Sequence, residues 1–223
     1  MAPGPTELKT TSAMRLQRAE KMKTLALPVA LLLNGCAGIG LMATSDPYRK
    51  LQQSDYLMAQ ERAALAEFTI KDALETFKRN NDELGVAEAY HSLGNLYKND
   101  SYHGKWAEYF KKVGTYDGTY MKSIDHFTKA MELFEKHSEK SGVVKCLVGI
   151  ANAYGLRGER EKSCDYYNQS LERYNQAKQA GQLKHEPVML NPQYKNMGDL
   201  IEAFMKYECG KSVPGSKEKL GPC

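Results

Sequence analysis

The chain has 223 residues, 42% hydrophobic and 26% charged, with 8 prolines and a formal net charge of +4. That balance describes an ordinary globular protein and excludes a disordered or multi-spanning one. Five of the 31 basic and two of the 27 acidic side chains fall within residues 1–35, which leaves 26 against 25 and a net charge near +1 for the rest. The apparent basicity therefore supplies no concentrated positive face for nucleic acid.

Thr24 to Leu33, TLALPVALLL, is too short to span a bilayer and is broken by Pro28. Arg15, Arg18, Lys21 and Lys23 precede it and Asn34-Gly35-Cys36 follow, the order of basic region, apolar region and small-residue cleavage site of an export signal. Residues 1–35 are read as a signal helix, with residues 1–21 open to being a mis-assigned start, because Met22 as well as Met14 leaves a normal signal. Leu33-Asn34-Gly35-Cys36 resembles the bacterial lipobox, whose cysteine becomes the lipidated first residue, although Asn34 stands where a small residue is usual. The resemblance implies lipidation at Cys36 and a linker over residues 36–46. With Ala37 after the cysteine, it also implies outer-membrane anchoring facing the periplasm.

Residues 47–207 carry an internal repeat, sought first because missing it miscalls a fold. Phe77 to Tyr97 and Phe134 to Tyr154 are equal intervals, with Gly85 and Gly142 at the same place in each. Ala66, Ile70, Ala73, Phe77 match Ser123, Phe127, Ala130, Phe134 and then Ser163, Tyr167, Ser170, Tyr174, each set on one helical face. Small sites let a neighbouring helix approach and large ones fill the gaps. Leu93-Gly94, Ile150-Ala151 and Met197-Gly198 mark the partner helices, and Gly158 is placed to end one of them in a left-handed cap.

These residues resemble the tetratricopeptide repeat over roughly Ser54 to Phe204. The resemblance implies an all-α fold, a right-handed stack of about three antiparallel helix pairs whose leading helices line a peptide-binding groove. By register the groove residues are His91, Asn95, Lys98, Lys145, Val148, Asn152 and Lys195. Relatives that clamp a peptide carboxylate use asparagine at Asn95 and Asn152 with nearby lysines, but His91 stands where a lysine belongs. Tyr48 to Glu67 has no glycine turn and so no clear leading helix, and Pro187 and Pro192 interrupt the last unit; both ends read as caps.

Tyr97 and Ser123 are 26 positions apart, against 9 for Tyr154 and Ser163, so residues 99–121 are an insertion. Trp106, Tyr109 and Phe110 in it offer a partner-binding knob, whereas their amphipathic spacing favours a flap packed on its own repeat. After Cys36, four cysteines remain. Cys146 and Cys164, at opposite ends of a helix pair, are expected to be core thiols, and Cys209 and Cys223 in the tail 208–223 either close a loop or stay loose.

No paired histidine spacing, CxxC, phosphate loop or nucleophile elbow is present, so no catalytic or metal residue and no cofactor is assigned. The reading is a non-enzymatic lipoprotein scaffold for a protein or peptide partner in secretion or envelope assembly, held to the membrane by lipid, with no small-molecule substrate. A cytosolic adaptor with an uncleaved N-terminal helix, or a participant in cell-wall processing, are the alternatives.

Overall fold

Asp46 and Pro47 open a helix. The Asp46 carboxylate accepts from the Tyr48 amide at 3.0 Å, and proline at the first helical position has no amide to satisfy. The structure, a computed structural model, describes residues 43–183 and 192–210. The signal segment, Cys36, Pro187 and Cys223 lie outside the described residues.

Among the described residues all regular structure is helical: α1 Pro47–Ala59, α2 Ala63–Arg79, α3 Glu83–Tyr97, α4 Asp100–His103, α5 Ala107–Lys112, α6 Met121–Lys136, α7 Lys140–Leu156, α8 Arg160–Gln179 and α9 Met197–Cys209. The leading helix that a missing glycine argued against is therefore present as α1, a correction with a clear cause. Six helices end in the same way: the residue after the cap adopts positive φ, and the next amide reaches back to a carbonyl five residues earlier, as in Arg62 to Leu57, Asp82 to Phe77, Thr115 to Phe110, Glu139 to Phe134, Glu159 to Tyr154 and Gln182 to Ala177. Glycine fills the positive-φ site at Gly114, Gly158 and Gly181, but Glu61, Asn81 and Ser138 fill it elsewhere. A motif defined by hydrogen bonds tolerates the modest strain of a non-glycine residue, so searching for glycine alone overlooks the α1–α2 turn.

Such tight turns send each helix back along its predecessor. Gly142 meets Phe134 while Gly149 meets Phe127, so α7 runs antiparallel to α6; Gly85 against Phe77, Tyr97 against Glu67, and Asn152 against Tyr167 show the same sense for α2 with α3 and α7 with α8. The α3–α6 pair is closed across the insertion: Ser123 Oγ donates to the Gly94 carbonyl at 2.7 Å, and Lys136 and His137 hold Glu83 at the other end. The expected small and large sites are in the core. Ala66, Ile70, Ala73, Phe77, Ser123, Phe127, Ala130, Phe134, Ser163, Tyr167, Ser170 and Tyr174 are all buried.

Helix α9 covers the last pair. Gly198 lets it sit against the Tyr174 ring, and Cys209 is disulfide-bonded to Cys164 of α8, their Cα atoms 5.7 Å apart. This corrects the assignment of Cys164 as a core thiol and removes Cys209 as partner for Cys223. Repeat register placed Cys164 relative to Cys146 but carried no information on where α9 would return. Cys146 is the buried free thiol, its pKa pushed up by burial. No helix among the described residues is long and apolar enough to cross a membrane.

Candidate functional site

Helices α1, α3 and α7 run side by side in the same direction, and an open cavity of about 340 Å³ lies along them. Residues spaced three and four apart put one face of each helix into it: Tyr48, Leu51, Gln52 and Asp55 from α1; Glu88, His91, Ser92 and Asn95 from α3; and Lys145 from α7. Leu51 is buried at the floor and Tyr48 stands at the rim, half exposed, its ring edge-on to Phe77 and its hydroxyl donating to Asp82 at 3.0 Å.

Two carboxylates and one amine set the electrostatics. Lys145 Nζ lies 3.0 Å from Glu88 Oε1, both half buried, so the lysine is already neutralised within the wall. Asp55 has no such partner among the described residues; it stays open to water, and its pKa is pushed up to about 6, first by partial burial between the groove walls and then by Glu88. His91 is held neutral, its pKa pulled down to about 3 by burial first and then by Lys145 and Lys98. Its ring packs edge-on to Phe127, and Nδ1 is 3.5 Å from the Asn95 amide nitrogen.

Of the residues chosen by repeat register, His91, Asn95 and Lys145 meet in this cavity. Lys98, the residue that caps the C-terminal end of α3, is half buried and outside the lining, its pKa lowered by burial. Val148 is a correction: it is buried in the apolar cluster with Tyr167, Met197 and Ile201, because α9 closes over the position that is open at the equivalent His91. Asn152 turns its carboxamide oxygen to the Tyr167 hydroxyl at 2.5 Å and is half buried. Lys195 is exposed in the segment leading into α9, its amide donating to Asp199, and is likewise apart from the cavity.

The α1 contribution was missed, since a chain segment read as a cap was given no groove face. Asp46-Pro47 followed by Tyr48, Leu51, Gln52 and Asp55 at helical spacing is the signal that marks it. Glu88 was readable too: it lies 57 positions before Lys145, the offset that separates Tyr97 from Tyr154, so equivalent positions carry opposite charges.

The insertion is a flap. Phe110 and Tyr102 are fully buried, so Phe110 cannot serve as an exposed knob. Trp106 donates its indole N–H to the Glu61 carbonyl at 2.6 Å, which ties the flap to the α1–α2 turn and satisfies a carbonyl there. The Tyr102 hydroxyl donates to the Thr115 carbonyl and accepts from the Asp117 amide, both at 2.8 Å. Tyr109 alone of the three named aromatics is exposed, at 46%. Among the described residues no three His, Cys, Asp or Glu side chains gather as a metal-binding group. No protein-family model matches the chain, and comparison with curated proteins finds no significant match.

Proposed function

We propose that the chain is a non-enzymatic scaffold that holds a protein segment in the α1–α3–α7 groove and is anchored to a membrane through lipid on Cys36. In this reading the helix pairs α1–α2, α3–α6 and α7–α8 are three units of a tetratricopeptide-like stack, and α9 is its cap. One observation carries the proposal: successive leading helices, not the trailing ones, line a continuous polar cavity, and Glu88 and Lys145 do so from equivalent repeat positions. Repeat scaffolds bind along such a face because adjoining units extend one surface.

The Cys164–Cys209 bond supports an exported location, since disulfides persist outside the reducing cytosol. Growth with radioactive palmitate, comparing wild type with Cys36→Ala, tests the anchor: Cys36-dependent label is expected, and its absence ends the lipoprotein reading in favour of an adaptor. Crosslinking in envelope fractions, with Asn95→Ala beside wild type, tests the groove, with a specific crosslinked partner expected to be lost in the variant. Peptidoglycan turnover by the purified chain would overturn the scaffold role.

A further inference from the structure

Among the described residues, one charge of the groove has nothing to balance it. Around the cavity, Lys145 is already joined to Glu88 at 3.0 Å, and His91, half buried against Phe127 and held neutral, adds no positive charge. Asp55 faces the same space from α1 with no hydrogen bond or ion pair among the described residues. The lining therefore sums to a net negative charge with a free acceptor, the reverse of a site for a peptide's terminal carboxylate. An acidic terminus entering here meets Asp55 and Glu88 and finds the one amine of the lining engaged, with Lys98 set back outside it.

We propose that the groove receives a basic side chain, lysine or arginine, from a segment of a partner protein, with Asp55 as its counter-ion. This rests on the scaffold reading above and specifies what that scaffold recognises. The cation meets the Asp55 carboxylate in a charge-assisted hydrogen bond, and the neighbouring carboxamides of Gln52 and Asn95 offer further acceptors. Its aliphatic stem has the Tyr48 ring at the rim and Leu51 on the floor to lie against. Separately, the raised pKa of Asp55 marks a carboxylate poorly compensated within the fold, a deficit that an incoming cation removes.

The test uses the full chain on an array of capped, randomised octapeptides, with a parallel set carrying free C-terminal carboxylates. Retained peptides are expected to be enriched in arginine or lysine at one position. The best of them should lose about 5- to 10-fold in affinity on Asp55→Asn, a substitution of equal size on a water-accessible helix face. Asp55→Lys should turn the preference toward aspartate or glutamate. Enrichment of acidic or free-carboxylate peptides overturns the proposal, as does a basic preference unchanged by Asp55→Asn. Binding that Asn95→Ala weakens but that ignores peptide charge leaves the groove standing and removes the cation. If no peptide is retained, or if retention ignores Gln52→Ala, Asn95→Ala and Asp55→Asn alike, the groove reading and the cation fall together.

Discussion

Along the seams between helices every large ring has a seat: Phe77 lies against Gly85, Phe134 against Gly142, Phe127 against both Gly94 and Gly149, and Tyr174 against Gly198. Along the groove the side chains are matched less completely, with Asp55 unpaired among the described residues, His91 half buried and uncharged, and Tyr48 half exposed. The same helices contribute to both regions; α3 presents Gly85 to α2 and Gly94 to α6, and Glu88, His91 and Asn95 on the face between them. The contrast separates two kinds of residue. Seam residues hold the fold together, whereas Asp55 and Tyr48 in the groove add little to it.

If that division is right, the largest effect should come from a seam ring. Phe127 is fully buried between two helices, and Phe127→Ala is expected to lower the unfolding free energy by about 3–5 kcal/mol, with Phe127→Leu losing less, as read by urea denaturation. Removing the Cys164–Cys209 bond by paired serine substitutions should follow at about 2–4 kcal/mol, for a cross-link spanning 45 residues. Reductant should produce the same loss in wild type and none in the variant. A reductant-insensitive wild type would place α9 on the stack by packing alone.

Glycines sharpen the contrast, because the sign of the effect reports the seat. In an exposed helix, glycine to alanine stabilises by up to about 1 kcal/mol. At Gly142 an added Cβ falls 2.4 Å from the Phe134 ring, and at Gly85 it falls 2.0 Å from Phe77. Gly142→Ala and Gly85→Ala are therefore expected to destabilise by about 1–3 kcal/mol by thermal or urea unfolding. A gain at either position would mean the ring yields freely and the seam is loosely packed.

The seams were legible in the sequence and the groove only in part, for a physical reason. Small-and-large alternation reports contact directly, which is why Ser123 and Ser163 could be placed in the core before any coordinates. A groove is defined by what a neighbouring helix fails to cover. Val148 and His91 occupy equivalent repeat positions, yet Val148 is buried with Met197 and Ile201 while His91 lines open space. Repeat register is blind to that difference, since α9 returns over the last pair alone. The α1 wall escaped because Glu61 makes the turn that a glycine was expected to make, and Cys164 because its partner is 45 residues distant.

The smallest expected effect is also the most discriminating, since it has the opposite sign. Asp55 has a pKa of about 6 in the folded chain against 3.8 ordinarily, so the folded state binds its proton more tightly than the unfolded one. Its charged form thus opposes folding above pH 6, and that opposition is relieved as the pH falls from 6 toward 3.8. Asp55→Asn removes it at every pH and is expected to stabilise the protein at pH 7 by at most about 1 kcal/mol, because water reaches the carboxylate and screens it. The advantage of the variant should shrink on acidification through that window, measured as the difference between two urea midpoints at each pH. Tyr48 on α1, Glu88 and His91 on α3 and Lys145 on α7 face the same cavity and are present in both proteins, so their contributions largely cancel in the difference. A destabilised Asp55→Asn protein would mean that Asp55 supports the fold, and the separation between seam and groove would then fail at the residue on which it most depends.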